Sequence, residues 1–387
     1  MITIKKRSEI SQADLDRIMK RSGNIMEEIY ERVKKIMTDV QENGDTAVKK
    51  YTEQFDGTRL DNLRVSQEEI RAAYSQVTPE FIAGFKQAME NSRRFETNAK
   101  PVETRTITEE GIEVWREWRP IERVGLYIPG GKARYPSCLV MTAVPAKIAG
   151  CQKFIVCTPP DENGCGPAAT LVACDLAGVD EIYKVGGAQA IAAMAYGTES
   201  IPQVYKIFGA GNTYVTAAKM LAFGKVDIDL PAGPSEIMIL ADETANPKFM
   251  AADLLSQSEH AEDSASVLVT TSEQLAQDVQ VEAERQMAYL ASRETIATCL
   301  SRYGMIVIVD SLEEGTQFIN EYAPEHLEIV TRDDEKYASM INNVGSIFLG
   351  NYSTEPAGDY ASGSNHVLPT NGFAKMFSPL STESFGR

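Results

Sequence analysis

Only three of the 387 residues are histidine, and each stands among polar neighbours rather than on an apolar helical face. His260 ends the run Ser256-Gln257-Ser258-Glu259-His260, His326 follows Pro324-Glu325, and His366 closes Gly358-Asp359-Tyr360-Ala361-Ser362-Gly363-Ser364-Asn365-His366. A lone histidine is more often structural than functional. Three together, two of them directly after a glutamate, reverse that expectation, because imidazole beside carboxylate moves protons near neutral pH.

Glu325-His326 reads as the entry of a strand, behind a proline that stiffens the approach. Two adjacent proton-transfer groups suit an enzyme that takes one proton from an alcohol and another from water, although the same dipeptide is common as a surface pair. If the helix beginning at Pro247 continues through His260, the i, i+3 spacing puts Gln257 and His260 on one side of it. Imidazole nitrogen and carboxamide or carboxylate oxygen are donors that zinc accepts, and Asp359, read as part of a glycine-rich loop after a strand, is a third. The alternative makes Gln257 a polar helix end and Asp359 a loop cap.

The elements that must position these groups change character along the chain. The first hundred residues read as helices: 14–21, 25–42 stopped by Gly44, 46–55 stopped by Gly57, and two more behind the capping patterns Ser66-Gln67-Glu68-Glu69 and Thr78-Pro79-Glu80. Alternation over 112–118 predicts a half-exposed strand. From Val124 to Asp229 strand, glycine turn and helix repeat, which predicts right-handed βαβ units on a parallel sheet. A second α/β stretch begins at Ile237 and runs to Leu349. After Phe373 the pattern thins, and no packed closing element is expected before Arg387.

Three glycine turns, Tyr127-Ile128-Pro129-Gly130-Gly131, Gly186-Gly187-Ala188-Gln189 and Gly209-Ala210-Gly211-Asn212, fall where strands meet loops or helices. Such turns bring backbone N–H groups to phosphates, yet none is a G-x-G-x-x-G fingerprint, and each is also explicable as plain turn geometry.

The chain is long enough for two cores, and its 43% hydrophobic and 24% charged composition is that of a globular protein. A net charge of −17 repels phosphate backbones and anionic membrane surfaces, so neither nucleic acid nor membrane is an expected partner. No apolar run is long enough to span a bilayer, and the first twenty residues lack the apolar core of a signal peptide, which points to the cytoplasm. The six cysteines contain no C-x-x-C pair and read as reduced, mostly buried thiols.

Six ordered runs carry a resemblance: Val124 to Gly131, Val185 to Ala190 (VGGAQA), Asp229 to Glu236 (DLPAGPSE), Leu255 to His260 (LSQSEH), Pro324 to Leu327 and Gly358 to Pro369 (GDYASGSNHVLP). In order and spacing, from about Asp14 to Phe373, the chain resembles the histidinol dehydrogenase family. The resemblance implies a four-electron oxidation of L-histidinol through L-histidinal to L-histidine, the last steps of histidine biosynthesis, with two NAD⁺ reduced in succession. It implies His326 as the base, Glu325 as the group that activates water, and Gln257, His260 and Asp359 as zinc ligands. The zinc would orient the substrate through its imidazole and amino groups. Ser235 matches a substrate contact, His366 joins the candidate substrate pocket, and Tyr127, Gln189 and Asn212 match NAD⁺-binding positions.

The implied architecture is α/β: an N-terminal arm (1–24) and two incomplete Rossmann-like units, one (125–236) inserted into the other (25–124 and 237–375), with the site in the cleft they form. Ligands are expected at the carboxyl ends of strands. Residues 376–387 read as the stub of a helical tail that, in the family, crosses to the partner of a homodimer and supplies a substrate-binding Glu and a fourth zinc ligand, a His. Without it, weaker zinc binding and a looser dimer are expected. A departure at Ala210, where the family commonly has proline, leaves Asn212 in place. The alternative reading is a paralogue oxidising another polar alcohol such as a sulfonated diol. Against it, the candidate pocket residues Ser235, Gln257, His260, Asp359 and His366 include no Lys or Arg. A second alternative is a non-catalytic binding protein that keeps the fold.

Overall fold

A computed structural model describes residues 2–21, 26–130 and 135–387. Part of the expected N-terminal arm (residues 1 and 22–24) and Gly131 of the first glycine turn lie outside the described residues. The strands in chain order are β1 (Thr3–Lys6), β2 (Arg105–Glu109), β3 (Ile112–Trp115), β4 (Arg123–Tyr127), β5 (Lys153–Thr158), β6 (Glu181–Lys184) and β7 (Lys206–Phe208). They continue with β8 (Asp227–Ile228), β9 (Glu236–Ala241), β10 (Ala265–Thr270), β11 (Gly304–Ile308), β12 (His326–Val330) and β13 (Ser346–Leu349).

Two compact units divide the chain. The first comprises Met1–Glu27, Pro231–Gly358 and Leu368–Pro379. Its parallel sheet has the order β1-β11-β10-β9-β12-β13. Both faces are buried, so its central strands are apolar without alternation. Ile237, Ile239, Leu268 and Ile306 face the helices Pro247–Ser258, Glu273–Met287 and Arg293–Tyr303. Met238, Leu240, Val267 and Val307 face Ile18 and the helix Leu312–Tyr322 through Phe318, Ile319 and Tyr322.

The second unit comprises Glu28–Leu230, Asp359–Val367 and Leu380–Arg387. Its sheet, β6-β5-β4-β7-β8, is parallel throughout and has the 3-2-1-4-5 order of a doubly wound dinucleotide-binding sheet that lacks its sixth strand. The order reverses at β4 and β7. The two helices expected on either side of Gly44 meet there at φ 49°, a conformation that glycine tolerates. The β2–β3 hairpin belongs to this unit and is exposed on both faces.

Several expectations change. The helices of 25–124, assigned by resemblance to the unit of 237–375, group from Glu28 onward with the β4–β8 sheet. The cause is packing: Gln67–Tyr74 lies on the helix Ala168–Ala177, and Pro79–Thr97 on Ser137–Ala149. The end of the chain is no loose stub. Leu380 and Phe385 are buried, Phe385 stacks on Phe208 with ring centroids 3.9 Å apart, and Thr382 N–H donates to Glu96 Oε2 at 2.7 Å. Five of the six thiols are buried, with Cys165 exposed. Among the described residues no helix is long and apolar enough to cross a membrane.

Candidate active site

In the first unit, the candidate residues collect at the amino ends of the parallel strands. The helix Pro247–Ser258 starts where Asn246 Oδ1 accepts from Lys248 N–H and Pro247 fills the first position, and it ends one residue past Gln257. His260 lies just beyond, in the turn closed by its own N–H on the Gln257 carbonyl at 3.4 Å. Both side chains therefore sit at the negative end of the helix dipole, which favours a cation. Gln257 is fully buried, and neither polar atom of its amide has a hydrogen-bond partner among the described residues. His260 is half-buried, with Nδ1 3.1 Å from the Ser256 carbonyl, so Nε2 is the nitrogen with a lone pair to offer.

The neighbouring arm is built by the helix Leu312–Tyr322. It is capped by Ser311 Oγ and stopped at Ala323, a non-glycine residue at φ 56°, and Pro324 follows. That sharp exit drops the chain into Glu325 and β12. Gly345 and Ser346 N–H groups donate to the carbonyls of Pro324 and Glu325 at 3.1 and 2.9 Å, which ties this turn to β13.

Glu236, which opens β9, organises the pair. Its N–H donates to Glu325 Oε2 at 2.8 Å, and its carbonyl lies 3.0 Å from His326 Nδ1. A proton on Nδ1 is thereby fixed, and Nε2 becomes the basic nitrogen. Nε2 lies 4.0 Å from Glu355 Oε1. Glu325, His326 and Glu355 are 5%, 3% and 1% exposed, a water-poor setting in which such contacts are strong. Behind them Glu355 N–H donates to Glu328 Oε1 at 3.0 Å, and Thr354 Oγ donates to Asp253 Oδ1 at 2.7 Å. Burial raises the pKa of Glu328 well above the usual carboxylate range, and the neighbouring Asp253 adds to the shift. Ser235, half-buried, precedes β9, and its carbonyl accepts from Ala265 N–H at 3.1 Å.

This placement at amino ends differs from the expected carboxyl ends. The donors come from helix carboxyl termini and the turns that follow them, and in a parallel α/β sheet those turns lie at the amino ends of the next strands. Asp359 also differs: it is in the short helix Glu355–Tyr360, four residues after Glu355, not in a loop. It begins the segment 359–367 of the second unit, where its carbonyl lies 2.9 Å from His366 Nδ1.

In the second unit, the glycine turns do occupy carboxyl ends. Gly209, at φ 115°, follows β7 beside the end of β4, and a Cβ there would collide with the Tyr127 carbonyl oxygen. Its N–H donates to Asp229 Oδ2 at 2.7 Å, and its carbonyl accepts from Lys219 Nζ at 2.8 Å, while Lys219 and Asp229 form a buried ion pair. Asn212 Oδ1 caps the helix Thr213–Ala222, accepting from Tyr214 and Val215 N–H. The Tyr127 hydroxyl, 3% exposed, accepts from Gly187 N–H at 3.1 Å and pins the start of the helix Gly187–Tyr196. Gln189 is 1% exposed, with Oε1 lacking a partner among the described residues.

Sequence reasoning missed Arg21, Glu236, Asp253, Glu328 and Glu355. A signal existed for Glu328, an acid two residues after His326 and so on the same face of an otherwise apolar strand.

Comparison with known proteins bears on the family and the fold. The sequence model of the histidinol dehydrogenase family matches residues 19–387. A histidinol dehydrogenase of Clostridium acetobutylicum is 50% identical over 370 residues, covering 95% of this chain and 85% of that protein. One of Methanothermobacter thermautotrophicus is 46% identical over 380 residues, covering 98% and 89%. The crystal structure of histidinol dehydrogenase from Elizabethkingia anophelis superposes with a TM-score of 0.95 at 42% identity, covering 100% of this chain and 89% of that one. The sulfonated-diol reading is not favoured by these relatives. A family match over nearly the whole chain, joined to a half-identical relative of the same description, means that the chain belongs to the histidinol dehydrogenase family.

Proposed function

We propose that this NAD-dependent oxidoreductase oxidises histidinol to histidine with His326 as base and Glu325 as the group that activates water. Gln257, His260 and Asp359 hold zinc in this reading, Ser235 and His366 contact substrate, and Tyr127, Gln189 and Asn212 contact NAD⁺. The observation that carries it is the double grip of the Glu236 backbone, which fixes the Glu325 carboxylate and sets the His326 tautomer.

His326 Nε2 takes the hydroxyl proton of the alcohol as the carbon gives up its hydride, and the Glu355 carboxylate beside it stabilises the imidazolium that results. In the second half, Glu325 takes a proton from the water that adds to the aldehyde, and His326 returns its proton to the aldehyde oxygen as the hydrate forms. His326 then takes a hydroxyl proton of the hydrate as the carbon gives up its second hydride. When bound, NAD⁺ accepts the hydride in each half and zinc orients the substrate.

The buried amide of Gln257, without a partner among the described residues, and the His260 Nε2 fit a metal, since an amide buried without partners is costly until a ligand satisfies it. For NAD⁺ the support is the order reversal at β4 and β7, where the Gly209–Asn212 turn falls. A homodimer working in the cytoplasm completes the reading. The exposed Ile107, Ile112, Val114 and Trp115 of the hairpin offer apolar surface to a second copy.

Counting NADH per substrate tests the activity. Two NADH per histidinol and one per histidinal are expected. One NADH from histidinol, with histidinal accumulating, would overturn it.

A further inference from the structure

Arg21 closes the helix Gln12–Lys20 with a positive φ, 51°, and its side chain is buried in the first unit. Its guanidinium makes three contacts there. Nη2 donates to the Tyr322 carbonyl at 2.7 Å, Cζ lies 3.7 Å from the centre of the Tyr322 ring, and Nε pairs with Glu236 Oε1 at 3.0 Å. The two charged side chains are 4% and 2% exposed. Asn371 N–H donates to the same Glu236 oxygen at 2.8 Å.

One guanidinium thus holds both pieces of backbone that present the candidate catalytic pair. Tyr322 ends the helix that delivers Glu325 and His326, and Glu236 supplies the N–H and C=O to which those residues are fastened. A buried ion pair contributes little net stability, because desolvation offsets its attraction. Its value here is geometric: a displacement of about 1 Å in such a site costs on the order of a hundredfold in rate.

We infer that Arg21 and Glu236 are positioning residues for the reaction, a buried clamp that holds the Glu236 backbone against Glu325 and His326 and so fixes the His326 tautomer. The inference rests on the roles proposed above for Glu325 and His326.

With only three histidines, ¹⁵N-labelled histidine resolves the His326 ring nitrogens, assigned by their loss in His326→Asn. The variants are Arg21→Met, Glu236→Gln and the double substitution. The double variant removes both charges, and so folds even if Arg21→Met alone leaves too costly an unpaired carboxylate. Arg21→Met and the double variant are expected to lower kcat by about tenfold or more with KM for histidinol within about twofold. His326 should then shift from the Nδ1-protonated form to a mixture of tautomers. Glu236→Gln keeps an acceptor for Asn371 N–H and should lose no more than about threefold in kcat.

A folded double variant with wild-type kcat and tautomer would overturn the clamp. So would a loss of kcat with the His326 signals unmoved. A tautomer shift without loss of kcat would uphold the clamp and count against His326 as the base.

Discussion

The carboxyl groups of Asp253 and Glu328 adjoin one another inside the first unit, each raised by burial, an arrangement in which a shared proton relieves their repulsion. Burial and the adjacent Asp253 hold the Glu328 pKa well above the usual carboxylate range, which favours the proton on Glu328, and its Oε1 still accepts from Glu355 N–H. Glu328→Gln preserves a donor and an acceptor and is expected to change stability by less than about 1 kcal/mol. Glu328→Leu leaves Asp253 and the Glu355 N–H without that partner and should cost about 2–4 kcal/mol. Urea unfolding of the two variants compares them, and equal losses would show that Glu328 is ionised.

Asp56 gives a pH dependence with a definite sign. Burial pushes its carboxyl up to about 6. The folded chain therefore holds a proton that the unfolded chain releases near pH 4, so this contribution to stability falls as pH rises from about 4 to 6 and stays low above. Asp56→Asn should raise Tm by about 2–4 °C at pH 8 and leave it nearly unchanged at pH 4. A stabilisation confined to acid pH would reverse the sign and refute the assignment.

Gly209→Ala should be among the most damaging single changes in the second unit. Its φ of 115° and the Tyr127 carbonyl both exclude a Cβ. A loss of about 2–4 kcal/mol in stability is expected, with weaker NAD⁺ binding in those molecules that fold. Denaturant melts and cofactor titration measure both, and a neutral variant would mean the turn is not held as described.

The Gln257 amide predicts effects of opposite sign. Gln257→Leu removes a buried polar group that lacks partners among the described residues, so the metal-free chain should be more stable by about 1–3 kcal/mol while zinc affinity falls. His260→Ala should lose most bound metal and keep the fold. Thermal melts with and without chelator, beside metal analysis, separate the two. Full zinc retention by both variants would remove them from the ligand set.

Much of this arrangement is legible in the sequence because its βαβ pattern is regular. The α/β stretch expected from Ile237 to Leu349 is present, and the helix expected to begin at Pro247 does so, although it ends at Ser258 and does not continue through His260. Ser137–Ala149 escaped notice because it is buried almost all round and holds Pro145, so no amphipathic period marks it. Glu355–Tyr360 was hidden by its glycine and proline content, which made Asp359 look like a loop residue. The placement of 28–124 was beyond reach, since it depends on which sheet those helices pack against. Glu236 and Arg21 illustrate a further limit. They lie 215 positions apart, and spacing along the chain says nothing about a backbone carbonyl choosing one tautomer of a histidine.

The division of labour in Glu325-His326 is tested most directly by single-turnover NADH formation from histidinol and, separately, from histidinal. His326→Asn should lower both half-reactions by about a hundredfold or more, because each needs a proton taken from an oxygen. Glu325→Gln should slow the histidinal half by a similar factor and the histidinol half by less than about tenfold, since only the former needs activated water. Equal losses in both halves for Glu325→Gln, or a His326→Asn enzyme that still oxidises histidinol at near wild-type rate, would contradict the account.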